Sequence, residues 1–446
     1  MDKRKFLKTS AAILAGDMLS RVSGFETNEP RTNWSGNFRY HAKNLYQPES
    51  VEEVQKIVKS CRTLKTLGAR HSFNNIADSS ENQISLAKMT SVEIDANART
   101  ATVGAGIEYG RLAPQLDGHG FALHNLASLP QITVAGARST ATHGSGNKNG
   151  NLATAVVGLE LVTPDGEIAK LSREHNRETF QGCVVDLGAL GVVTKVTLAI
   201  EPTFQMRQVV YQNLSFNQLE KHLDDIFAAG YSVSLFTDWQ NHRATQVWIK
   251  SKVEPGRKFE ISPEFYGATA AKVKLHPLAG HSAESCTDQL GIPGPWYDRM
   301  PHFRMNFTPS SGNELQTEYL VPRARAWEAI RAVEGLRDQI TPHLFITELR
   351  TIDADTLWMS TAYQRPSLAI HFTWKPEWPE VHNVLPRIEE ALKPFDARPH
   401  WAKLFTMPGS RIQPLYAKLP EFQTLVRHYD PTGKFRNQYL NSTIFT

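Results

Sequence analysis

The sequence predicts an α+β protein of two domains, and three observations carry that reading. At 446 residues the chain is longer than one ordinary core organises. Its first two hundred residues alternate short strands and helices around two glycine-rich loops, whereas the remainder has longer strands, long helices and most of the tryptophans. Pro202 ends an alternating strand over 192–200, so the boundary falls near Thr203.

Composition narrows the function classes. Charged residues at 21% and hydrophobic ones at 41% describe a soluble globular chain, and the formal net charge is only +4. No Lys/Arg run beyond the N-terminus forms a stripe that would track a phosphate backbone, which sets nucleic acid aside. Cys61, Cys183 and Cys286 have neither metal-ligand spacing nor the number for a disulfide framework; one bridge is conceivable, and buried thiols are the default. No metal is expected. No stretch has the apolar length of a membrane span, and nothing points to a coiled coil, so a monomer is expected.

The first residues read as an address. Lys3, Arg4 and Lys5 precede Phe6-Leu7-Lys8 and a mild apolar segment over 9–16, similar to a twin-arginine export signal with Lys3-Arg4 at the paired arginines. Residues 1–32 are therefore expected to be a signal and linker directing the protein to the periplasm or outside, with a cytoplasmic protein carrying a basic N-terminus as the alternative.

In the first part, Ser50 with Glu53 three residues on is a capping-box signature, and Val51, Val54, Ile57 and Val58 repeat at helical spacing. With strands expected near 45–46 and ending at Gly68, this makes a βαβ unit. The second strand releases the chain into Gly68-Ala69-Arg70-His71-Ser72-Phe73-Asn74, a loop presenting one imidazole. Short strands follow over 83–86, 91–94 and 100–103, the last running into Gly104-Ala105-Gly106; the spacing to Gly110 does not make a dinucleotide fingerprint. A helix is expected over 109–116 and a strand over 121–126. Residues 127–146 are dominated by small and hydroxylated side chains, which expose backbone N–H groups able to approach a phosphate or a flat ring closely. Pro164-Asp165-Gly166 marks a hairpin between strands 155–162 and 167–171, and a helix is expected over 177–185.

In the second part, helices are expected over 218–229 and 324–338, and residues 275–298 read as a long Gly/Pro/Ser-rich excursion. Three later segments place polar groups at alternate positions within apolar runs. Glu348 and Arg350 are two apart and share one side of a strand. His371, Thr373 and Lys375 face one way while Ile370, Phe372 and Trp374 face the other, and a third expected strand over 398–405 adds Lys403. An acid, a guanidinium, an imidazole, a hydroxyl and an amine gathered on one patch can hold several hydroxyls and remove one proton, which is the work of oxidising a polyhydroxy alcohol.

These segments also carry a resemblance: Gly-Ala-Arg-His-Ser-Phe at 68–73, Ser-Leu-Pro-Gln-Ile-Thr-Val-Ala-Gly at 128–136, Thr-His-Gly-Ser-Gly at 142–146, Glu-Leu-Arg at 348–350 followed by Trp358-Met359-Ser360, His-Phe-Thr-Trp-Lys at 371–375, and Pro-His-Trp-Ala-Lys at 399–403. Together they resemble the vanillyl-alcohol-oxidase type of flavoproteins, in its sugar-alcohol and aldonolactone branch, from about Trp34 to the C-terminus. The resemblance implies an FAD-binding domain of the PCMH type over 33–203, a substrate (cap) domain on a mixed sheet over 204–400, and a segment 401–446 returning to the first domain. It implies an FAD bonded covalently through its 8α-carbon to His71, with Ala69, Arg70, Ser72, Phe73, Asn74, Ser128, Thr133, Gly136, Thr142, His143, Gly144, Ser145, Gly146, Val193 and Lys403 around it.

It also implies that Ser128, Glu348, Arg350 and Thr373 hold the substrate hydroxyls. His371, supported by Lys403, would accept the hydroxyl proton as hydride passes to the flavin, with Glu348 and Arg350 completing the catalytic group. The substrate would be a small polyol and the electron acceptor O2, giving hydrogen peroxide. Gln131 stands where the family has a histidine and Ala402 where it has a glycine, which puts the substrate preference in doubt. Cys183 fits no second flavin attachment, and Ala127 places a small residue before Ser128 where oxygen access is governed. The alternatives are an aldonolactone oxidase or dehydrogenase using another acceptor, and a non-catalytic exported carbohydrate-binding flavoprotein.

Overall fold

The computed structural model describes residues 31–307 and 312–445. The expected export signal lies almost wholly outside them. Within the described residues, no helix is long and apolar enough to cross a membrane.

The first unit forms where expected and for local reasons. The helix Val51–Ser60 starts at Ser50, whose hydroxyl accepts from the Glu53 N–H at 3.2 Å, while Glu53 reaches back to the Glu49 N–H at 2.9 Å. It buries Val54 and Val58. The flanking strands Asn44–Tyr46 and Lys65–Thr66 do not touch; Asn82–Ile84 lies between them, parallel to both. A five-stranded antiparallel sheet follows, in the order Val92–Asp95, Thr100–Gly104, Val192–Ala199, Val156–Val162, Ile168–Ser172. Its hairpin turns at Gly166, whose φ of 81° favours glycine. At Gly106 a β-carbon would sit 1.8 Å from the Leu86 carbonyl oxygen, so this glycine serves a close crossing of two loops.

Three details differ from the sequence reading. The expected strand over 121–126 shortens to Phe121–Ala122, and the helix expected over 177–185 begins at Arg173, with an irregularity at Arg177. Part of the second glycine-rich region is helical: Val134–Ser139 is capped by the Thr133 hydroxyl, which accepts from the Gly136 N–H at 3.3 Å.

The second unit is built on a larger sheet, ordered Glu264–Phe265, Ala268–Ala270, Gln205–Ser215, Arg243–Lys252, Ser232–Thr237, Leu344–Ile352, Ser367–Trp374, Leu315–Pro322, Arg398–Pro399, with Gly294–Pro295 added beside Gln205–Ser215. Every pairing in it is antiparallel, so the expected mixed cap sheet is corrected; the small sheet of the first unit holds the parallel strand pairs among the described residues. One face carries the apolar halves of the strands. Phe372 and Trp374 stack with centroids 5.0 Å apart, and the Trp374 indole donates to Thr317 Oγ1 at 2.9 Å. The helices Ala326–Glu334 and Trp378–Leu392 belong to this side, the second presenting Glu389 to the Tyr319 hydroxyl at 2.9 Å.

Residues 401–445 pack against the first unit. Phe73 N–H donates to the Ala402 carbonyl at 2.8 Å, the Lys65 amine to the Phe435 carbonyl at 3.2 Å, and Asn437 to the carbonyls of Asn75, Ile76 and Asp78. The third polar segment is not a strand beyond Pro399. The His400 N–H still donates to the Glu318 carbonyl at 3.0 Å, and the chain then turns so that Lys403 N–H donates to the His400 carbonyl at 3.0 Å. Cys61, Cys183 and Cys286 are all free and buried.

Candidate active site

The strand register builds the site. Glu348 lies directly opposite His371, and His371 directly opposite Glu318, so an acid, an imidazole and an acid form a row across three neighbouring strands. Alternation adds Arg350 two residues along from Glu348 and Thr373 two along from His371; Gln316 stands opposite Thr373. This polar face turns toward the first unit, and a cavity of about 380 Å³ runs between them.

Glu318 is the hub of the row. Its Oε1 accepts from Arg350 Nη2 at 2.7 Å and faces His143 Nε2 at 3.3 Å, and its Oε2 faces His371 Nδ1 at 3.5 Å. Burial alone would push this carboxyl up, but His143, Arg350 and His371 outweigh burial and hold it well below the usual carboxylate range. Arg350 also donates to Ser128 Oγ at 3.2 Å and lies 3.6 Å from Glu348 Oε1. Glu348, pushed up by burial, is drawn down further by Arg350 and His302 and stays ionised. His143, Glu318 and His400 bring ligand-type atoms within 4.8 Å of one another, but the Arg350 guanidinium already supplies the cation there, and His400 Nδ1 accepts from the Ala402 N–H at 3.1 Å.

Burial lowers the His371 pKa; Glu318 opposes the shift, and Lys403 and Arg350 add to it. The imidazole is therefore neutral at working pH, with Nε2 3.4 Å from Thr373 Oγ1. The Lys403 amine donates to Gln316 Oε1 and sits 4.9 Å from the Phe73 ring centroid. Burial lowers it to about 8 against the pull of Glu318.

The first unit supplies the other wall. Ala69, Arg70, His71, Ser72 and Phe73 line the cavity, as do Ser128, Thr133, Gly136, Thr142, His143 and Val193. Arg70 holds φ of 63°, an uncommon conformation that turns the loop immediately before His71. His71 Nδ1 is buried without a hydrogen-bond partner. Burial, with Lys403 and Arg70 behind it, lowers this imidazole to about 3, so it is neutral and keeps a lone pair. Trp34 lies against it with centroids 5.4 Å apart. At Gly68 and Gly136 alike a β-carbon would come within 2.8 Å of Thr133 Oγ1, so bare backbone forms this part of the wall.

Some expected residues are elsewhere. Asn74 does not line the cavity: it donates to the carbonyls of Trp401 and Lys403 at 2.8 and 2.7 Å, anchoring the segment that carries Lys403. Gly144, Ser145 and Gly146 are also off the cavity; Ser145 and Gly146 join the two units, through the Ser232 hydroxyl and through the Gly146 N–H to the Thr351 carbonyl at 2.8 Å. Lys375 lies past the strand end and donates to the Pro342 carbonyl. Gln131 points away, donating to the Met305 and Phe307 carbonyls at 3.0 and 3.2 Å, so it fixes a loop instead of contacting ligand; Ala402 does line the cavity.

Sequence reasoning missed Glu318, Gln316 and His400, although Gln316 and Glu318 alternate with Leu315, Thr317 and Tyr319 as the chosen strands do. It also missed His302. That residue follows the excursion over 275–298, and its Nε2 lies 2.7 Å from Glu348 Oε1.

A bare-backbone cradle, a buried unpartnered imidazole and a polar row across the cleft define an FAD-dependent oxidoreductase acting on CH–OH donors. A family model described as an FAD binding domain matches residues 42–172, and one described as D-arabinono-1,4-lactone oxidase matches residues 309–443. An alditol oxidase from Streptomyces sp. is 44% identical over 417 residues, covering 93% of this chain and 98% of its own. L-gulonolactone oxidase from Bos taurus is 27% identical, with 93% and 98% covered. The solved structure of cholesterol oxidase from B. sterolicum shares the fold, with a TM-score of 0.75 at 14% identity over 94% of this chain and 99% of that one. The chain belongs to the FAD-dependent oxidase family that includes alditol oxidase and the aldonolactone oxidases.

Proposed function

We propose that this enzyme oxidises a terminal carbinol of an alditol to the aldose and passes two electrons to O2, giving hydrogen peroxide. The observation that carries this is the row Glu348, His371, Glu318 with Arg350 and Thr373 beside it, facing the loop of His71 across one cavity. FAD, when bound, supplies the acceptor for the hydride leaving the carbinol carbon.

The side chains do the rest. Both contacts of Glu348 fall on Oε1, which leaves Oε2 to accept a substrate hydroxyl. Ser128, Arg350 and Thr373 hold the neighbouring hydroxyls and so fix which carbon reacts. His371 takes the proton of the reacting hydroxyl at Nε2, because Nδ1 is turned toward Glu318. The Lys403 ammonium disfavours a second positive charge on that imidazole and stabilises developing negative charge on the reacting oxygen. His71 is the attachment point for the flavin, which its unpartnered Nδ1 supports.

The lactone relatives support a second reading, in which a sugar lactone occupies the same patch. Steady-state oxygen uptake with xylitol, sorbitol and L-gulono-1,4-lactone separates them. The proposal expects aldose and peroxide in equal amounts from the alditols and at most slow turnover of the lactone; lactone turnover alone would replace it. We also infer export of a folded monomer from the Lys3-Arg4-Lys5 leader; cell fractionation and light scattering test it.

A further inference from the structure

Lys250 is 1% exposed, lies on the strand Arg243–Lys252, and makes no ion pair within 4 Å among the described residues. A buried ammonium without a contacting carboxylate is costly, so its partners matter. Burial lowers this amine to about 7 against the pull of Glu348, and in its ammonium form three acceptors take its three protons: the Met300 carbonyl, the Pro301 carbonyl at 2.9 Å, and His302 Nδ1 at 3.0 Å. The last contact determines a tautomer. A ring nitrogen that accepts from an ammonium carries no proton, so the single N–H of the neutral imidazole stands on Nε2, 2.7 Å from Glu348 Oε1. The ring has no freedom to turn: Trp248 and Phe236 flank it edge-on at 5.1 and 5.7 Å, and the His302 backbone N–H donates to the Ser128 carbonyl at 3.1 Å.

We propose that Lys250 is a positioning residue for the substrate: through His302 it holds one oxygen of Glu348 in a hydrogen bond and so presents the other to a hydroxyl of the polyol. Neither Lys250 nor His302 belongs to the polar strands from which the site was read. The inference rests on the polyol reading above and assigns the second layer of that site. Without Lys250 the Nδ1 side of His302 loses its donor, the ring is anchored less firmly, and the Glu348 carboxylate it holds at 2.7 Å is free to shift.

The test is anaerobic reduction of the flavin-loaded enzyme by xylitol, which separates apparent Kd from limiting rate. Lys250→Met raises the apparent Kd about 10- to 100-fold and leaves the limiting rate within about 3-fold. In a Glu348→Gln background the same change adds less than about 2-fold, because the pathway is already broken. His302→Gln keeps affinity near wild type, since its amide oxygen accepts from Lys250 and its amide N–H donates to Glu348; His302→Leu reproduces the Lys250→Met loss. Two results overturn the proposal: a folded, flavin-loaded Lys250→Met that binds xylitol like wild type, or a loss that is equal in both backgrounds, as a merely structural lysine would give. Should Lys250→Met not fold, equal affinities in the two His302 variants overturn it. Failure of every polyol to reduce the wild-type flavin sinks the polyol reading, and this inference with it.

Discussion

Glu348 and His371 stand directly opposite each other on neighbouring antiparallel strands, so the group proposed to hold the substrate and the group proposed to take its proton are fixed by one backbone register. The register extends one strand further to Glu318. A one-residue slip would turn all three to the packed face, which is why the apolar halves of these strands, Phe372 and Trp374 among them, also guard the chemistry.

Replacing the proton acceptor tests its role. His371→Asn keeps the ring's size class but titrates nowhere near neutrality. Flavin reduction by an alditol falls about 10²- to 10⁴-fold while flavin content is unchanged; stopped-flow absorbance checks it, and a loss below about 5-fold removes His371 from this role.

The proposed attachment at His71 has its own signature. In His71→Ala the flavin leaves the protein on acid precipitation and no peptide carries its mass, whereas in wild type the peptide containing His71 does. A wild-type flavin released by acid contradicts the attachment.

Glu318 neutralises a crowded cationic site. Glu318→Leu leaves Arg350 buried without its carboxylate at 2.7 Å and costs about 3–5 kcal/mol of stability. Glu318→Gln keeps the fold but frees Arg350 and His371 to shift, and alditol-driven flavin reduction slows about 10-fold or more. Urea unfolding and stopped-flow reduction read the two effects separately.

Acid weakens the fold before it reaches the ordinary carboxylate range. Burial lowers His302 to about 4, with Lys250 adding, and His400 to about 3, against an ordinary 6.5. From pH 6.5 downward the unfolded chain therefore takes up protons that the folded chain refuses, and stability falls. Asp355 works the other way: burial raises it to about 6, so its contribution grows as pH falls below 6. Burial lowers His71 to about 3 and His276 to about 4 as well, so the imidazoles outweigh the one carboxyl, and a net loss of at least about 2 kcal/mol between pH 6.5 and 5 is expected. Urea midpoints at the two pH values check it; a midpoint that rises on acidification contradicts the assignment.

Much of the site was legible because strands write their faces at period two. Glu348, Arg350, His371 and Thr373 were chosen on that pattern alone, and the register then brought them together. Glu318 carried the same signal but sits in a run that also holds Thr317 and Tyr319, so neither face reads as apolar. Lys403 was read as strand-borne and arrives by a turn, closed by its N–H on the His400 carbonyl. His302 and Lys250 had no local signal at all: they meet Glu348 from sequence separations of 46 and 98 positions, the second through the first. Gly144 and Gly146 looked like ligand loop; Gly144 instead packs on Asn125 and Leu126 of its own unit, and Gly146 approaches the Tyr231 carbonyl of the other, roles that need the same close backbone approach.

The most direct test of the central claim is to mix the oxidised holoenzyme with xylitol in the absence of oxygen and follow the flavin absorbance. The account predicts full bleaching of the oxidised-flavin band in a single phase that saturates with xylitol, and recovery of the band with stoichiometric peroxide once oxygen is admitted. A flavin that stays oxidised with xylitol and sorbitol, yet bleaches with a sugar lactone, would contradict the polyol assignment.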